Sequence, residues 1–387
     1  MMRIGMIAPL EMRVPPAAYG GTELVVSLLT EELVRRGHDV TLFASGDSVT
    51  GARLVPGCPT FLRGSDRDRS ILTMLNVVSC LERAQDFDVI HNHTCFEGLA
   101  VAGLTSTPVL TTLHGGLSGD WLLLFERYRG WYNTISHSAR SLLPASDNFA
   151  GVIYNAVDAE TYPFNPCGRG DHLLFLSRMS PEKGPHIAIE VAQRLGKRLL
   201  LAGNVDRVDE AYFQEQVLPQ VDGARIVYVG EVDQAQKRCL LSEAACLLAP
   251  ITWDEPFGLF MAEAMACGTP VIAFARGAAP EIISPGETGF VVPDVDAMAE
   301  AVGWIGEISP YACRLRVEQH FSVQRMTDGY LAAYEQIIAG APMPLPVEHE
   351  VGLSHAAVNG AVVLANPFSS TPAGEALLDG SSVPRGL

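Results

Sequence analysis

Glu255 and Glu263 stand eight positions apart in the run Trp253-Asp254-Glu255-Pro256-Phe257-Gly258-Leu259-Phe260-Met261-Ala262-Glu263. The apolar stretch 246–249 precedes this run, and Gly268 and Pro270 follow it. Proline loses nothing at the first position of a helix, so a helix is expected to open at Pro256. Gly258 has no side chain and lets a ligand approach the backbone N–H groups of Phe257, Gly258 and Leu259. A helix N-terminus adds a partial positive charge, which suits a phosphate or a polar hydroxylated ligand. With Glu255 just outside the helix and Glu263 about two turns in, the carboxylates are expected roughly 10–12 Å apart. That separation fits two contact points on one extended ligand better than two carboxylates sharing one reacting bond. Glu263 has Phe260, Met261, Ala264 and Met265 as neighbours, company unlike that of a solvated helix face.

A second group is cationic. Ser177-Arg178-Met179-Ser180-Pro181-Glu182-Lys183-Gly184 closes the apolar run 172–177. Arg178 and Lys183 are thus placed at a strand's carboxyl end, where open α/β sheets bind ligands. Arginine clamps phosphate with two hydrogen bonds, and lysine adds a compact charge. Gly20-Gly21 follows the first strand and precedes a helix, with Thr22 offered as its N-cap. That pair would let a ligand lie against the backbone. His114 ends the run 109–113 and is followed by two glycines; a histidine taken alone is more often structural than functional. Asn204 ends Leu201-Ala202-Gly203-Asn204 at another strand terminus.

The elements that position these residues alternate. Strands are expected at 3–8, 39–44, 88–93, 109–114 and 131–135, with a helix at 22–36 whose apolar face holds Leu24, Val25, Leu28, Leu29 and Leu33. A second series has strands at 172–177, 198–202, 224–229, 246–249, 271–275 and 289–292, and a helix at 185–195. Strands separated by helices mean βαβ units and mainly parallel sheets. Residues 155–170 lack periodicity and carry Pro163, Pro166, Gly168 and Gly170, so they read as the linker. The expected organisation is an N-terminal domain at 1–160, a second of the same grammar at 171–320, and a helix at 321–339 packing back towards the first. Residues 341–387 are rich in Pro, Ser, Gly and Ala and read as a disordered tail.

Composition excludes several partners. The formal net charge is −17. Residues 1–157 hold 12 basic and 15 acidic residues and the rest 15 and 29, so neither half offers a basic face for nucleic acid or anionic lipid. No apolar run reaches the roughly 18–20 residues of a membrane span. The opening Met1-Met2-Arg3-Ile4-Gly5-Met6-Ile7-Ala8-Pro9 is too soon broken for a secretory signal, so a cytoplasmic chain is expected. The eight cysteines form no C-x-x-C pair and are expected to be reduced thiols. Three D-x-D pairs, Asp66/Asp68, Asp86/Asp88 and Asp294/Asp296, begin a strand or lie in loops, and no metal or other cofactor is expected. His91 and His93 are expected to leave a strand end on opposite faces as wall groups. The first strand is not followed by G-x-G-x-x-G, against a dinucleotide oxidoreductase.

Glu-x7-Glu ending in C-G-T-P-V-I, the Arg178/Lys183 segment, Tyr19-Gly20-Gly21-Thr22-Glu23, Leu113-His114-Gly115 and Gly286-x-Thr288-Gly289-Phe290 together resemble the family 4 retaining glycosyltransferases. The resemblance runs from about residue 3 to 338. It implies the GT-B fold, two Rossmann-like domains whose parallel sheets face each other across a cleft. It also implies transfer of a hexose from a nucleotide-sugar to a hydroxyl of an acceptor. UDP-glucose is the first donor expected and GDP-mannose the second. The N-terminal half carries no basic amphipathic helix, so a small soluble acceptor and no stable membrane anchor are expected. Arg178 and Lys183 would then neutralise the diphosphate, and Glu255 would contact the sugar. Glu263 would bind the ribose hydroxyls, and His114 the sugar or reacting region. Asn204 departs from the family's glycine-rich ending there. The acceptor is expected near Tyr19, His91 and His114. The opening segment around Pro15-Pro16-Ala17-Ala18-Tyr19 is similar to a branch labelled UDP-glucose:tetrahydrobiopterin glucosyltransferase. A nucleotide-sugar epimerase and a non-catalytic nucleotide-sugar-binding module are the alternatives.

Overall fold

The computed structural model describes residues 1–94, 96–115, 124, 125, 128, 130–166 and 170–340. The tail read at 341–387 lies outside the described residues. Seven strands, β1 (Arg3–Ile7), β2 (Asp39–Ser45), β3 (Arg53–Cys58), β4 (Val89–Asn92), β5 (Val109–Leu113), β6 (Trp131–Thr134) and β7 (Phe149–Val152), form one sheet in the order β3-β2-β1-β4-β5-β6-β7. Six more, β8 (Leu173–Leu176), β9 (Leu199–Ala202), β10 (Ile226–Gly230), β11 (Cys246–Ala249), β12 (Val271–Phe274) and β13 (Gly289–Val292), form the other in the order β10-β9-β8-β11-β12-β13. Every pairing is parallel. In β5, β8, β9 and β11 every residue is buried, as a sheet covered on both faces requires.

Strand order reverses between β1 and β4 in the first sheet and between β8 and β11 in the second. Loops leaving the carboxyl ends on either side of such a reversal diverge and open a crevice. Gly20–Gly21 follow β1. Arg178 and Lys183 follow β8, and Glu255–Leu259 follow β11. The final helix, Val323–Ala339, follows the second sheet yet completes the core of the first. Its Met326, Tyr330, Ala333, Tyr334 and Ile337 recur at helical spacing and pack in one cluster with Ile4, Val25 and Leu29. Among the described residues no helix is long and apolar enough to cross a membrane, and no disulfide joins the described cysteines.

Two local expectations are corrected. The helix after β11 opens at Leu259, not Pro256, and Gly258 is its N-cap at φ 82°. A Cβ there would sit 2.5 Å from Met261 Cε, so both conformation and space call for glycine. Glu263 is therefore about one turn in, not two. The helix after β1 starts at Gly21 with Gly20 as N-cap, so Thr22 lies inside its first turn. Gly20 has φ 148° and a Cβ would meet Pro16 Cβ at 2.7 Å, which no ordinary side chain tolerates.

Candidate functional site

A cleft of about 370 Å³ lies between the carboxyl ends of the two sheets. The candidate donor-site residues read from the sequence meet there, whereas His91 and His93 do not line it. Gly20 and Gly21 line it from the first helix start, and His114 from the end of β5. Arg178 and Lys183, then Asn204, line it from the loops after β8 and β9. Glu255, Phe257, Gly258, Leu259 and Glu263 line it from the loop and helix after β11. The two helix N-termini approach each other closely, a Cβ on Gly21 falling 3.4 Å from Leu259 Cδ1. Two sets of exposed N–H groups and two partial positive charges thus converge on one space, an arrangement suited to an anionic ligand.

The cations are not alike. Lys183 pairs with Glu255 Oε2 and sits 4.9 Å from the centre of the Trp253 ring. Trp253 Nε1–H donates to the same carboxylate oxygen at 3.0 Å. Lys183 and Glu255 each keep only 12% of their side-chain surface exposed, so little water screens them. Arg178 is surrounded by acids: it pairs with Glu182, with Asp206 at 3.3 Å and with Asp209 at 3.4 Å. Its charge is shared three ways, which leaves Lys183 as the less committed cation.

Glu263 is 3% exposed. Its Oε1 accepts from Lys237 Nζ at 2.6 Å and from the Tyr162 hydroxyl at 2.7 Å. Burial first, and the neighbouring carboxylate next, push the Tyr162 phenol far up, so it stays a proton donor. Asn204 is buried and donates from Nδ2 to Asp206 at 2.7 Å, and among the described residues its Oδ1 has no partner. Lys237, Tyr162, Trp253 and the acids around Arg178 were not singled out by the sequence reading. For Lys237 a signal exists: Asp233 and Gln236 form a capping box, which fixes the helix start and hence the position of Lys237 in the next turn.

Behind the cleft the histidines differ from the expectation. His91 and His93 lie two residues apart on an extended strand and so share one face, with ring centres 3.9 Å apart. Both are buried, and of the three histidines only His114 lines the cleft. Burial lowers the pKa of all three, His114 to about 4. Each ring therefore takes a proton more readily in the unfolded chain. Their stability contribution is full above the unfolded value of 6.5 and is lost as pH falls towards the folded value. For His114 alone this is on the order of 3 kcal/mol. The expected result is a urea midpoint that drops steeply between pH 6.5 and about pH 4, with a shallower slope for His114→Ala.

The D-x-D pairs have other occupations. Asp68 and Asp294 cap helices, Asp88 pairs with Arg3, and Asp86 pairs with Arg83. Among the described residues no group of His, Cys, Asp or Glu is arranged to hold a metal ion.

Residues 19–161 match the family model described as Glycosyltransferase Family 4, and residues 170–307 the model described as Glycosyl transferases group 1. The phosphatidyl-myo-inositol mannosyltransferase of Mycobacterium tuberculosis is 28% identical over 359 residues, covering 81% of this chain and 90% of that protein. The glycogen synthase of the same organism is 26% identical over 419 residues, covering 90% and 99%. The crystal structure of AviGT4, a glycosyltransferase involved in avilamycin A biosynthesis, superposes with a TM-score of 0.68 at 25% identity, covering 88% of this chain and 99% of that one. With two parallel sheets meeting at their switch points and the two matches spanning most of its length, the chain belongs to the family 4 glycosyltransferases of the GT-B fold.

Proposed function

We propose that this chain transfers a hexose from a nucleotide-sugar to a hydroxyl of a small soluble acceptor, with retention at the anomeric carbon. The observation that carries the reading is the division of the cleft wall. Lys183, from the loop after β8, and Glu255 meet before the helix Leu259–Ala266, and Glu263 stands inside that helix, paired with Lys237 of the helix Gln234–Glu243. An extended ligand with a sugar, a diphosphate and a ribose fits that succession. Glu255 holds sugar hydroxyls, and the N–H groups of Phe257, Gly258 and Leu259 lie beside the sugar and phosphate. Lys183 and Arg178 meet the charge that grows on the diphosphate as the glycosidic bond breaks. Glu263 takes the ribose diol, Gly20 and Gly21 let the donor lie against the backbone, and Asn204 borders the nucleotide. The proposal needs no metal, because Lys183, Arg178 and the helix N-termini supply the positive charge.

The acceptor hydroxyl attacks from the face that the nucleotide leaves, and a leaving phosphate oxygen takes its proton. UDP-glucose is the first donor to test and GDP-mannose the second. Sugars, small polyols and small heterocycles are the acceptors to test, and the likeness of the opening segment to the tetrahydrobiopterin glucosyltransferase branch adds a reduced pterin to the panel. The test is a thermal-shift panel of nucleotide-sugars, followed by NMR of the product anomer. A donor at a hundred times its Kd stabilises by about 2.7 kcal/mol. If no nucleotide-sugar raises the melting temperature, the donor reading falls, and an inverted product overturns retention. Conversion of the donor without any acceptor would favour an epimerase; tight binding without turnover would favour a sensing module.

A further inference from the structure

A buried chain of hydrogen bonds runs from the cleft into the first domain. His114 Nε2 lies 2.8 Å from His93 Nδ1, and His93 Nε2 lies 3.2 Å from His91 Nδ1. His91 Nε2 lies 2.7 Å from Thr112 Oγ1, and the Tyr334 hydroxyl 2.6 Å from His91 Nδ1. At the far end the direction is set. Thr112 has one proton and gives it to Asn133 Oδ1 at 2.7 Å, while Asn133 Nδ2 donates to the Thr134 carbonyl at 3.4 Å. Thr112 Oγ1 then accepts from its other neighbours, His91 Nε2 and the Tyr330 hydroxyl at 3.2 Å.

A neutral imidazole has one N–H and one lone pair. His91 therefore carries its proton on Nε2, and its single Nδ1 lone pair is shared by two donors in a three-centre contact, the Tyr334 hydroxyl at 2.6 Å and the longer His93 Nε2–H at 3.2 Å, where a lone pair on His93 Nε2 would face that of His91. The lone pair of His93 is then on Nδ1, and His114 must supply the proton there from Nε2. Burial keeps the three rings neutral, so no second proton upsets this order. Nδ1 of His114 is left with a lone pair, and His114 is the one ring of the three that borders the cleft.

We propose that His93 and His91, anchored by Thr112, are positioning residues that fix His114 as the Nε2–H tautomer, so that it offers the bound substrate a hydrogen-bond acceptor, Nδ1. The identity of the bound group as a sugar or acceptor hydroxyl rests on the glycosyl-transfer reading above. Such a hydroxyl points its proton at His114 and turns its own lone pairs elsewhere. An N–H at that position would instead occupy one of those lone pairs. For an attacking hydroxyl the difference decides whether a lone pair is left to react.

The tautomer is read without turnover. In the full chain with ¹⁵N-labelled histidine, two-bond ¹H–¹⁵N correlation spectra separate the two tautomers, and His114→Ala assigns the His114 signals. The expected wild-type pattern is Nε2–H at His114. His93→Phe, which removes the acceptor, is expected to give a mixed pattern, whereas His93→Gln, whose amide oxygen can accept, keeps Nε2–H. Thr112→Val frees the far end and is expected to shift His114 towards Nδ1–H, which guards against a misfolded His93 variant. An Nδ1–H pattern in the wild type overturns the proposal, and so does a His114 pattern that none of these substitutions changes. In transfer assays, His93→Phe is expected to lower kcat at least about tenfold, against the ~10⁴ that a wrong tautomer costs a serine-protease triad. Donor KM is expected to stay within about twofold, and His93→Gln to recover part of the loss. Equal loss in both variants at an unchanged melting temperature also overturns it. If the wild type transfers nothing, the proposed activity fails while the spectra still decide the tautomer.

Discussion

Lys183→Ala is expected to lower kcat by about 10²–10³ while donor KM changes far less. The ammonium group lies among Glu255, the Trp253 ring and the loop that ends β8, with 12% of the side chain exposed. In the ground state its charge is met by Glu255. As the glycosidic bond breaks, negative charge grows on the leaving phosphate, and a cation already held in a poorly hydrated place needs no reorganisation to meet it. Removing it takes away transition-state stabilisation more than ground-state binding, and this separates kcat from KM. Arg178→Ala is expected to cost less, because Glu182, Asp206 and Asp209 already share that charge. Lys183→Ala also strands the Glu255 carboxylate beside the substrate phosphates. The double variant Lys183→Ala/Glu255→Gln is therefore expected to lose less than the two single effects added together. Steady-state kinetics on the four proteins checks this; a Lys183→Ala enzyme with kcat within about threefold of wild type would sink the assignment.

The residues legible in the sequence are those at strand carboxyl ends. There local pattern and function coincide: an apolar run stops, and glycine or a charge follows. Arg178 and His114 sit directly at such ends, and Lys183, Glu255 and Gly20 in the loops that leave them. What sequence left dark comes from packing between distant segments. Tyr162 reaches Glu263 across 101 positions, and Lys237 reaches it from a neighbouring helix 26 positions away. β3 was missed because Pro56 and Gly57 break its pattern, which an edge strand tolerates. β7 was missed because it lies at the opposite edge with only half-buried residues. The displaced helix start has a single cause. Proline at 256 invites a helix, but Gly258 takes a left-handed conformation, which ends any right-handed turn begun before it.

Glu263→Ala is expected to weaken binding of a ribonucleoside diphosphate by about a hundredfold or more, since hydrogen bonds to a charged group contribute roughly 1.5–3 kcal/mol each. The fold argues for a rigid, pre-aimed carboxylate. Oε1 is held by Lys237 and Tyr162, so the group cannot turn freely, and Glu263 still lines the cleft. Stability will suffer too, because the substitution leaves the largely buried Lys237 ammonium unpaired, a loss of about 3–5 kcal/mol when one partner of a buried pair is removed. Affinity alone therefore cannot separate a ribose contact from a damaged site. A 2′-deoxy nucleotide does separate them. Wild type should bind the ribo form more tightly than the deoxy form, and in Glu263→Ala the two should bind alike, whatever the absolute loss. Glu263→Gln, which can still accept from Tyr162 and from Lys237, should hold its melting temperature better than Glu263→Ala and show a reduced ribo preference. Calorimetric titration of both nucleotides into the three proteins reads all of this. A ribo preference that survives intact in Glu263→Ala would place the ribose elsewhere and leave Glu263 as the counter-charge that holds Lys237 at the cleft wall.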